Sequence, residues 1–449
     1  MRMKQESGRD AARRKGWKVA AIGAAAVVVV GGGVGIATAS PWDDGTSSSS
    51  SAPSSTPSSA PSSTSPTSAG SGADPTAGAS TKPADPSVSA APPAPDAAQL
   101  TVGLTPTDQA YAVNPATVAA ITVTGGTLEA VELVPRAGGT AVAGEISAEG
   151  GTWTATERLA FNTEYLFSYT VRDSAGQSQR QTSSFVTVEP ANEADAAMFP
   201  RDGSTVGTGQ PLEFTFSEPV VNRAEVEKAI TVTSTSGQPG AFYWISDTKV
   251  RYRPETFWAP NSTITVTANL FGVDLGNGMI GNGDTAMTVK THNTRLAVVD
   301  NATKTMNVYL DGTLDRTFPV TLGTEDWPST EGYMVVMEHY ESTRFTAESI
   351  GLKPGDPAYY PPTVVNHASR LSLGGAFVHE ALPAAQVALG SINVSHGCIG
   401  MSPEGAEYFY NTFGPGDVVQ ILNTDYGPMY VWDGFGDWNV PWNEWVNQP

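Results

Sequence analysis

Residues 43–98 constrain the fold of this 449-residue chain most, because they consist almost wholly of Ser, Pro, Ala, Thr, Gly and Asp. Such a segment cannot bury enough apolar surface to offset the conformational entropy lost on ordering, and its prolines favour extended backbone. We therefore predict a disordered linker over 43–98. The residues after it, 99–449, are enough for about three domains of ordinary size.

The segment before the linker predicts export across a membrane. Residues 1–18 hold seven basic and two acidic side chains, and residues 19–37 are uncharged, being apolar or glycine throughout. Residues 1–42 are therefore predicted to be a basic cytoplasmic start followed by a signal or membrane anchor. The run is long enough to span a bilayer, yet Ala37-Thr38-Ala39 is typical of a cleavage site, so an anchor and a cleaved signal both stay open.

Charge and cysteine content narrow the function classes. The formal net charge is −20 although residues 1–18 are basic, so the rest of the chain is strongly acidic. Acidity argues against a nucleic-acid partner, because phosphate binding needs a basic face, and solubility is its ordinary role. Cys398 is the only cysteine, so no internal disulfide can form. In an exported protein a single cysteine indicates a reactive thiol or an intermolecular bridge.

Short runs with period-two alternation recur between 99 and 292, separated by turns that often contain Gly-Gly. Their spacing is typical of immunoglobulin-like β-sandwiches, and we predict two of them, over 99–192 and 193–292. His292 is the only histidine of this block, so we predict no catalytic site there. The predicted strands include Ala119–Thr124, Thr152–Ala155, Tyr165–Arg172, Leu212–Ser217 and Thr263–Asn269.

The pattern changes after residue 293. Two runs flank an Asp300-Asn301 turn and predict a hairpin, and two more strands follow. Residues 341–366 are rich in Gly and Pro, which predicts a long loop that acts as a lid. Ser402-Pro403 predicts the start of a helix with a serine cap, and Gly414 predicts its end. The four predicted strands are Leu296–Val299, Thr305–Leu310, Thr317–Leu322 and Tyr333–Glu338.

The stretch before and around the single cysteine carries the chemistry. His379-Glu380 is followed by Ser395-His396-Gly397-Cys398-Ile399-Gly400. A cysteine nucleophile needs a group that lowers its pKa or takes its proton, and histidine serves this purpose near neutral pH. Two other roles stay open from the local chemistry. Cys398 can be a small buried side chain, or it can bind zinc with His379 and His396, although the paired spacing of common zinc sites is missing.

His379, then fifteen residues, then Ser395-His396-Gly397-Cys398 resembles the signature of the L,D-transpeptidases. The order of apolar segment, Pro/Ser linker, two immunoglobulin-like domains and a Trp-rich end is similar to a large subgroup of that family. The likeness covers roughly residues 120–445. Further matching segments are Gly240-Ala-Phe-Tyr-Trp244, Arg253-Pro-Glu-Thr-Phe-Trp258, Gly272-Val-Asp-Leu-Gly276 and Gly436-Asp-Trp-Asn-Val-Pro-Trp442.

The resemblance implies a mainly β chain with an L,D-transpeptidase catalytic domain over 293–424 and a Trp-rich C-terminal extension over 425–449. It implies acyl transfer on peptidoglycan stem peptides, in which the third stem residue is attacked, D-alanine leaves and the amine of another third residue accepts the acyl group. Family members need no metal or other cofactor, and carbapenems inhibit them. The body would lie outside the cytoplasmic membrane in a bacterial cell envelope, anchored through 19–37 or released. We also expect a monomer.

The resemblance also implies a role for each residue that matches the signature. Cys398 matches the nucleophile, His379 matches the general base, and the backbone carbonyl of Glu380 matches the group that orients this base. His396 matches a residue that supports the site. The backbone N–H groups of Gly397 and Cys398 match the oxyanion hole.

Two positions near the signature depart from the family pattern, and both bear on contacts with substrate. Gly400 stands where Asn or Arg is frequent, and Glu380 where a small residue is frequent. The family's lid tyrosine matches Tyr359 or Tyr360 only with a shifted register, and His367 has no counterpart. The residues that we predict to contact substrate are Ser395, Met337, Tyr360 and Gly400.

Two other functions fit the same signature. Water in place of the amine would make the chain an L,D-carboxypeptidase, and loss of chemistry would leave a non-catalytic cell-wall-binding protein. Aromatic side chains of the C-terminal extension fit either packing between domains or glycan binding, and packing is favoured because it buries their large apolar area. They are Tyr430, Trp432, Phe435, Trp438, Trp442 and Trp445.

Overall fold

The computed structural model of the protein describes residues 99–448. The linker predicted over 43–98 and the membrane segment predicted over 19–37 lie outside the described residues. Across 99–448 there is no helix with the length and apolar character needed to cross a membrane. Strands dominate this part of the chain and its helices are short, which confirms the predicted mainly β fold class.

The first domain is a sandwich of two antiparallel sheets. Its strands are β1 (Thr101–Thr105), β2 (Ala120–Thr124), β3 (Gly126–Pro135), β4 (Gly144–Ile146), β5 (Thr152–Ala155), β6 (Glu164–Asp173) and β7 (Ser178–Val186). One sheet has the order β1-β2-β5-β4 and the other β3-β6-β7. Trp153 packs edge-on against Phe167 between the sheets, with ring centroids 5.6 Å apart. This is the immunoglobulin-like architecture that the strand spacing predicted.

The second domain repeats the sandwich architecture with its own core. Its elements are β8 (Asn192–Ala194), β9 (Ala196–Phe199), β10 (Thr205–Val206), β11 (Leu212–Phe216), α1 (Arg223–Ala229), β12 (Ile230–Ser234), β13 (Gly240–Ser246), β14 (Lys249–Pro254), β15 (Thr263–Ala268), β16 (Asp274–Gly276), β17 (Met279–Gly281) and β18 (Thr285–Thr291). The sheets have the orders β10-β18-β15-β12 and β13-β14-β11-β9, and β16-β17-β8 forms a small third sheet. Phe214, Val250, Trp258 and Val266 are buried between them.

The third domain is built on one nine-stranded sheet. Its elements are β19 (Arg295–Asp300), β20 (Thr305–Leu310), β21 (Thr313–Thr321), β22 (Gly332–Val335), β23 (Glu338–Phe345), a 3-10 helix (Ala347–Ile350), β24 (Thr363–Arg370), β25 (Phe377–Glu380), α2 (Pro383–Gln386), β26 (Ile399–Met401), α3 (Pro403–Thr412), β27 (Val418–Leu422), a 3-10 helix (Asp437–Asn439) and α4 (Trp442–Val446). The strand order is β22-β27-β19-β20-β21-β26-β25-β24-β23, and α3 packs on β24, β25 and β26.

Local sequence signals predicted two elements of this domain correctly. The hairpin of β19 and β20 closes with Asp300 opposite Thr305, as the Asp-Asn turn indicated. The helix α3 starts as predicted, because the Ser402 hydroxyl accepts a hydrogen bond from the Gly405 N–H at 3.1 Å. Its last turn buries Phe409 and is capped by Phe413, one residue before Gly414.

The prediction of one long loop over 341–366 is wrong. Its first residues belong to β23 and its last to β24, and these strands pair with each other, so the connection shrinks to 346–362. Strand β23 stands at the edge of the sheet with mostly polar side chains, and it therefore lacks the alternation that marks a buried strand. The predicted strand Tyr333–Glu338 is also divided, since β22 ends at Val335 and β23 begins at Glu338.

The C-terminal extension packs mainly on the second domain. Arg253 of β14 is buried, and its guanidinium lies over the rings of Trp438, Trp442 and Trp445 at 4.8, 5.4 and 4.3 Å. Trp445 also donates a hydrogen bond to the Ala241 carbonyl at 2.9 Å. These contacts confirm the packing role predicted for most of the aromatic side chains. The exceptions are Tyr430 and Trp432, which are exposed and stack on each other.

Candidate active site

Two adjacent strands bring the predicted nucleophile and base to one place. His379 lies in β25, and Cys398 directly precedes β26. The two strands run parallel, with Val378 opposite Ile399 and His379 opposite Gly400. The fifteen residues between His379 and Ser395 form the crossover that a parallel pair requires. The spacing in the signature is therefore set by strand pairing.

The ring of His379 is buried and held in one orientation. Its Nδ1 lies 2.7 Å from the backbone carbonyl of Glu380. Because a carbonyl oxygen can only accept, Nδ1 donates the proton, and Nε2 of the neutral ring is left as a proton acceptor. The Phe345 ring packs edge-on against the imidazole at 5.2 Å. Burial lowers the pKa of His379, while the Glu380 carbonyl and then the Glu380 charge act in the opposite direction.

The thiol of Cys398 is protonated at rest. Its Sγ lies 3.6 Å from the carbonyl oxygen of Gly375, in the turn before β25. Burial raises the pKa of the Cys398 thiol to about 11. A thiol with this pKa reacts only when a base takes its proton, and a neutral His379 is suited to do so.

A cavity of about 220 Å³ opens onto both groups. Its walls are mostly apolar, and none of its lining residues is Asp, Glu, Lys or Arg. Six of the predicted site residues line this cavity, namely Tyr360, His379, Ser395, His396, Cys398 and Gly400. The lining consists of Thr321, Phe345, Tyr360, Thr363, Val365, His379, Ala381, Leu382, Ala385, Val394, Ser395, His396, Cys398 and Gly400.

His396 connects the cavity to the segment between β23 and β24. Its Nε2 lies 3.0 Å from the Ala358 carbonyl, so this nitrogen carries the proton. The ring lies between Trp327 and Tyr360, with centroid distances of 5.6 and 5.2 Å. Burial, followed by the charge of a Cys398 thiolate, raises the pKa of Tyr360 to about 12, so its hydroxyl keeps its proton. His396 therefore lies in the wall of the cavity and contacts the segment between β23 and β24.

Ser395 organises the loop before the nucleophile. Its hydroxyl donates to the Cys398 carbonyl at 2.6 Å and accepts from the Gly397 N–H at 3.1 Å. In this conformation the Gly397 N–H is therefore already hydrogen-bonded to Ser395. This contradicts the prediction that it is free to bind an oxyanion. Gly397 has a φ of 111°, a region open mainly to glycine, so a side chain there would strain the turn.

The absence of a side chain at Gly400 has a steric reason. A Cβ atom at this position would lie 2.9 Å from Cγ2 of Thr321 and 3.3 Å from Cβ of Ala381. Both neighbours line the cavity, so a larger residue at Gly400 would narrow it. The departure from the family pattern is therefore matched by the side chains around it.

Met337 is placed differently from the prediction. Its N–H donates to the Arg370 carbonyl at 2.8 Å, and its sulfur faces Gly434 of the C-terminal extension. It follows the end of β22 and does not line the cavity. The structure therefore does not bring Met337 together with the predicted site residues that line the cavity. Phe345 does line the cavity but was not predicted, because an aromatic residue in an edge strand is equally compatible with packing.

A zinc site would need His379, His396 and Cys398 to converge on one point. Among residues 99–448, no group of three or more His, Cys, Asp or Glu side chains is arranged to hold a metal ion. The Nε2 of His396 is moreover a donor to a carbonyl and has no free lone pair in this tautomer.

Comparison with known proteins assigns the family. Residues 110–274 match a model described as a bacterial Ig domain, and residues 294–421 match one described as an L,D-transpeptidase catalytic domain. The chain is 36% identical to L,D-transpeptidase 2 of Mycobacterium tuberculosis over 343 residues, which cover 76% of this chain and 82% of that protein. It is 30% identical to L,D-transpeptidase 5 of the same species over 363 residues, covering 79% and 77% of the two chains.

A crystal structure of L,D-transpeptidase 1 of Mycobacterium tuberculosis aligns with 52% of this chain and all of that chain, at 25% identity and a TM-score of 0.41. A structure of L,D-transpeptidase 3 of that species with a faropenem-derived adduct aligns with 51% of this chain and 97% of that chain, at 30% identity and a TM-score of 0.43. On the sequence matches, the chain belongs to the L,D-transpeptidase family.

Proposed function

We propose that this chain cross-links peptidoglycan by joining the third residues of two stem peptides through an acyl-enzyme on Cys398, with release of D-alanine. The observation that supports this most is the state of His379. Its Nδ1 is fixed on the Glu380 carbonyl, so its other nitrogen is a base in the same cavity as a neutral thiol.

The first half-reaction forms a thioester. His379 takes the proton of the Cys398 thiol as sulfur attacks the carbonyl carbon of the third stem residue. The tetrahedral intermediate then collapses, its C–N bond breaks, and the imidazolium gives its proton to the departing amine of D-alanine. Of the two N–H groups predicted for the oxyanion hole, that of Cys398 is the remaining candidate, since Ser395 occupies that of Gly397.

The second half-reaction uses the same base. The amine of the acceptor stem attacks the thioester and loses a proton to His379, and the thiolate leaves and recovers that proton. An apolar, uncharged cavity favours an amine over water, because it offers water few polar partners. We infer that this body acts outside the cytoplasmic membrane, where stem peptides lie, either anchored through residues 19–37 or released after cleavage of a signal. The support is the uncharged apolar run and its basic flank.

Covalent labelling by a carbapenem tests the nucleophile. The full-length protein is purified in detergent, incubated with the drug, and its intact mass is measured beside Cys398→Ala. We expect one adduct on the wild type and none on the variant. The absence of an adduct on the wild type would favour a non-catalytic cell-wall-binding protein.

A defined substrate separates cross-linking from hydrolysis. The protein is incubated with a disaccharide carrying a tetrapeptide stem, and the products are identified by mass spectrometry. Cross-linking predicts a dimer in which one stem has lost D-alanine, and Cys398→Ala should form none. Accumulation of the disaccharide tripeptide alone would show that water is the acceptor and would make the chain an L,D-carboxypeptidase.

A further inference from the structure

Gly400 lies in a row of residues that crosses three strands beside the proposed base. It is opposite His379 of β25 on one side and opposite Thr321 of β21 on the other. Directly opposite residues of paired strands point to the same face, and all three residues line the cavity. The imidazole and the Thr321 side chain therefore flank a position that has no side chain of its own.

The Thr321 side chain is fixed in its orientation. Its hydroxyl donates a hydrogen bond to the Ile392 carbonyl at 2.8 Å and accepts one from the Val394 N–H at 3.2 Å. Its methyl group, Cγ2, faces Gly400. Turning this methyl away would break both hydrogen bonds of a buried hydroxyl, which is unfavourable. The methyl is thus a rigid part of the cavity wall.

Gly400 forms the floor of a narrow slot, and the methyl groups of Thr321 and Ala381 form its walls. A Cβ atom at position 400 would lie 2.9 Å from Cγ2 of Thr321 and 3.3 Å from Cβ of Ala381. Carbon atoms in contact are normally about 3.5–4 Å apart, so a side chain here would fill the slot and press on both walls. The nearest atoms that it would meet belong to Thr321 and Ala381, and not to the ring of His379.

The surface of the slot is carbon, and polar groups of its walls are already hydrogen-bonded. Besides the Thr321 hydroxyl, the Ala381 carbonyl accepts from Nε2 of Gln386 at 3.0 Å. Beyond the slot the cavity wall continues with Leu382 and Val394, whose side chains are exposed to solvent. A polar group inside the slot would lack a partner, whereas one at this mouth reaches water. The slot therefore suits an unbranched methylene chain with a polar end.

The acyl donor is the substrate that reaches this slot. Cys398 and Gly400 are two residues apart where the chain enters β26, so they point to the same face with about 7 Å between them. In the proposed function the third stem residue is bound to Cys398 as a thioester. Such a residue carries its reactive amine at the end of its side chain, because its α-amine is already in a peptide bond. Its side chain is a methylene chain with a polar end.

We propose that Gly400, Thr321 and Ala381 form a specificity slot that takes the methylene chain of the donor's third residue, and that the Thr321 methyl sets its width. The proposal rests on the proposed function, in which Cys398 carries that residue. It gives Gly400, one of the departures from the family pattern, a role in the choice of donor.

Two tetrapeptide stems that differ only in their third residue test the slot in the full-length protein. One carries lysine, and the other carries diaminopropionate, whose single methylene leaves its ammonium inside the slot. The kcat/KM for release of D-alanine is measured, because this release counts the donor whichever acceptor follows. The variants are Gly400→Ala, which fills the slot, Thr321→Ser, which keeps the hydroxyl and removes Cγ2, and the double variant.

Gly414→Ala is the matched control. Gly414 follows α3 in the same domain and does not line the cavity, and a Cβ atom there would meet nothing within 4 Å. Carbapenem adducts are measured on every variant, since they show that the thiol and the base still react.

The wild type should prefer the lysine stem by about tenfold or more, because the slot binds its additional methylenes and leaves its ammonium in water. Gly400→Ala should lower kcat/KM for the lysine stem about tenfold and change that for the short stem little. Adding Thr321→Ser should restore most of this loss, since Cγ2 is the atom that the new methyl meets. Thr321→Ser alone should reduce the preference about fourfold through loss of one methyl contact, and Gly414→Ala should match the wild type.

Equal losses for both stems in Gly400→Ala, or a double variant no better than Gly400→Ala, would overturn the proposal. A loss confined to the yield of cross-links, with D-alanine release unchanged, would place the acceptor in the slot and would overturn it as well. If Gly400→Ala does not fold, Thr321→Ser decides, and an unchanged preference for the lysine stem in that variant refutes the slot.

Failure of the proposed function gives a different result. It would appear as no release of D-alanine from either stem by the wild type, and the slot would fall with it. Release of D-alanine with the same preference in the wild type and in Gly400→Ala would leave the proposed function standing and would refute the slot alone.

Discussion

Burial favours the uncharged forms of both Cys398 and His379, because a site with few solvating groups disfavours a thiolate and an imidazolium alike. It raises the pKa of the thiol to about 11 and lowers the pKa of His379. The resting pair is thus a thiol near a neutral imidazole, and not a preformed ion pair. The charges appear only as the proton moves during attack on the substrate, which limits reaction of the free thiol with other electrophiles.

This resting state predicts the pH dependence of acylation. The neutral ring of His379 accepts the proton, so the rate should be full above the pKa of His379 and should fall as pH falls through it. His379→Asn removes the base and should slow carbapenem acylation about 10²–10⁴-fold at neutral pH. Intact-mass time courses across the pH range measure both effects. A rate that is independent of pH in the acidic range, or that His379→Asn leaves unchanged, would contradict the assignment.

At the scale of elements, the sequence predicted what local chemistry determines. The hairpin of β19 and β20 and the start of α3 depend on turn and cap residues that are visible in the chain. The pairing of β23 with β24 was missed, because the polar side chains of an edge strand carry no periodic signal. The same gap hid Phe345, which lies at the end of β23 and reaches the cavity only through that pairing.

The connection between β23 and β24 depends on His396, which donates to the Ala358 carbonyl and packs between two aromatic rings. His396→Ala should release this segment, lower the acylation rate about tenfold through loss of roughly 1–1.5 kcal/mol of hydrogen bonding, and speed proteolysis between 346 and 362. The control is Tyr359→Phe, which removes a hydroxyl that bonds Glu348 on the same connection but outside the cavity. Slower acylation without faster proteolysis in His396→Ala would show that the histidine does not hold the segment.

At the scale of the molecule, two arginines of β14 join the second domain to the C-terminal extension. Arg251 binds the buried Asp437 at 2.8 Å, and Arg253 donates to the Val440 carbonyl at 2.7 Å. The sequence predicted that the tryptophans pack between domains, but it could not show that they surround a cation. That arrangement depends on two segments almost two hundred residues apart in the chain.

The loss of Arg253 should therefore destabilise the protein far more than the loss of an exposed arginine. Arg253→Ala leaves a carbonyl without its donor and three rings without their cation, and should cost about 3 kcal/mol of unfolding free energy. Arg223→Ala is the matched control: its guanidinium lies 4.9 Å from the Trp244 ring, and its partner Asp247 is exposed, so the cost should stay below about 1 kcal/mol. Urea unfolding followed by tryptophan fluorescence compares them, and equal losses would refute the structural role of Arg253.

The junction of the second and third domains contains a carboxyl group that should make stability depend on pH. Asp417 is fully buried, its Oδ2 accepts from the Gly414 N–H at 2.8 Å, and its Oδ1 lies 3.5 Å from Nε2 of His292. Next to it, the Gly207 and Gly209 N–H groups donate to the carbonyls of Pro415 and Gly416. Burial raises the pKa of Asp417 to about 7 and lowers that of His292, so the pair is favoured in its neutral form.

Because folding raises the pKa of this carboxyl above its ordinary value of 3.8, the folded state binds a proton that the unfolded state releases. Stability from Asp417 is therefore fully present below about pH 4 and is lost as pH rises to about 7. Asp417→Asn keeps an acceptor for Gly414 and gives His292 a neutral donor, so it should remove this slope. At pH 8 the variant should be more stable than the wild type by on the order of 3 kcal/mol, and at pH 4 the two should be similar. Urea unfolding at both pH values measures the difference, with the exposed Asp425→Asn as control. A difference in stability between the variant and the wild type that does not grow from pH 4 to pH 8, or an equal gain in the control, would contradict a raised pKa of the carboxyl at the junction.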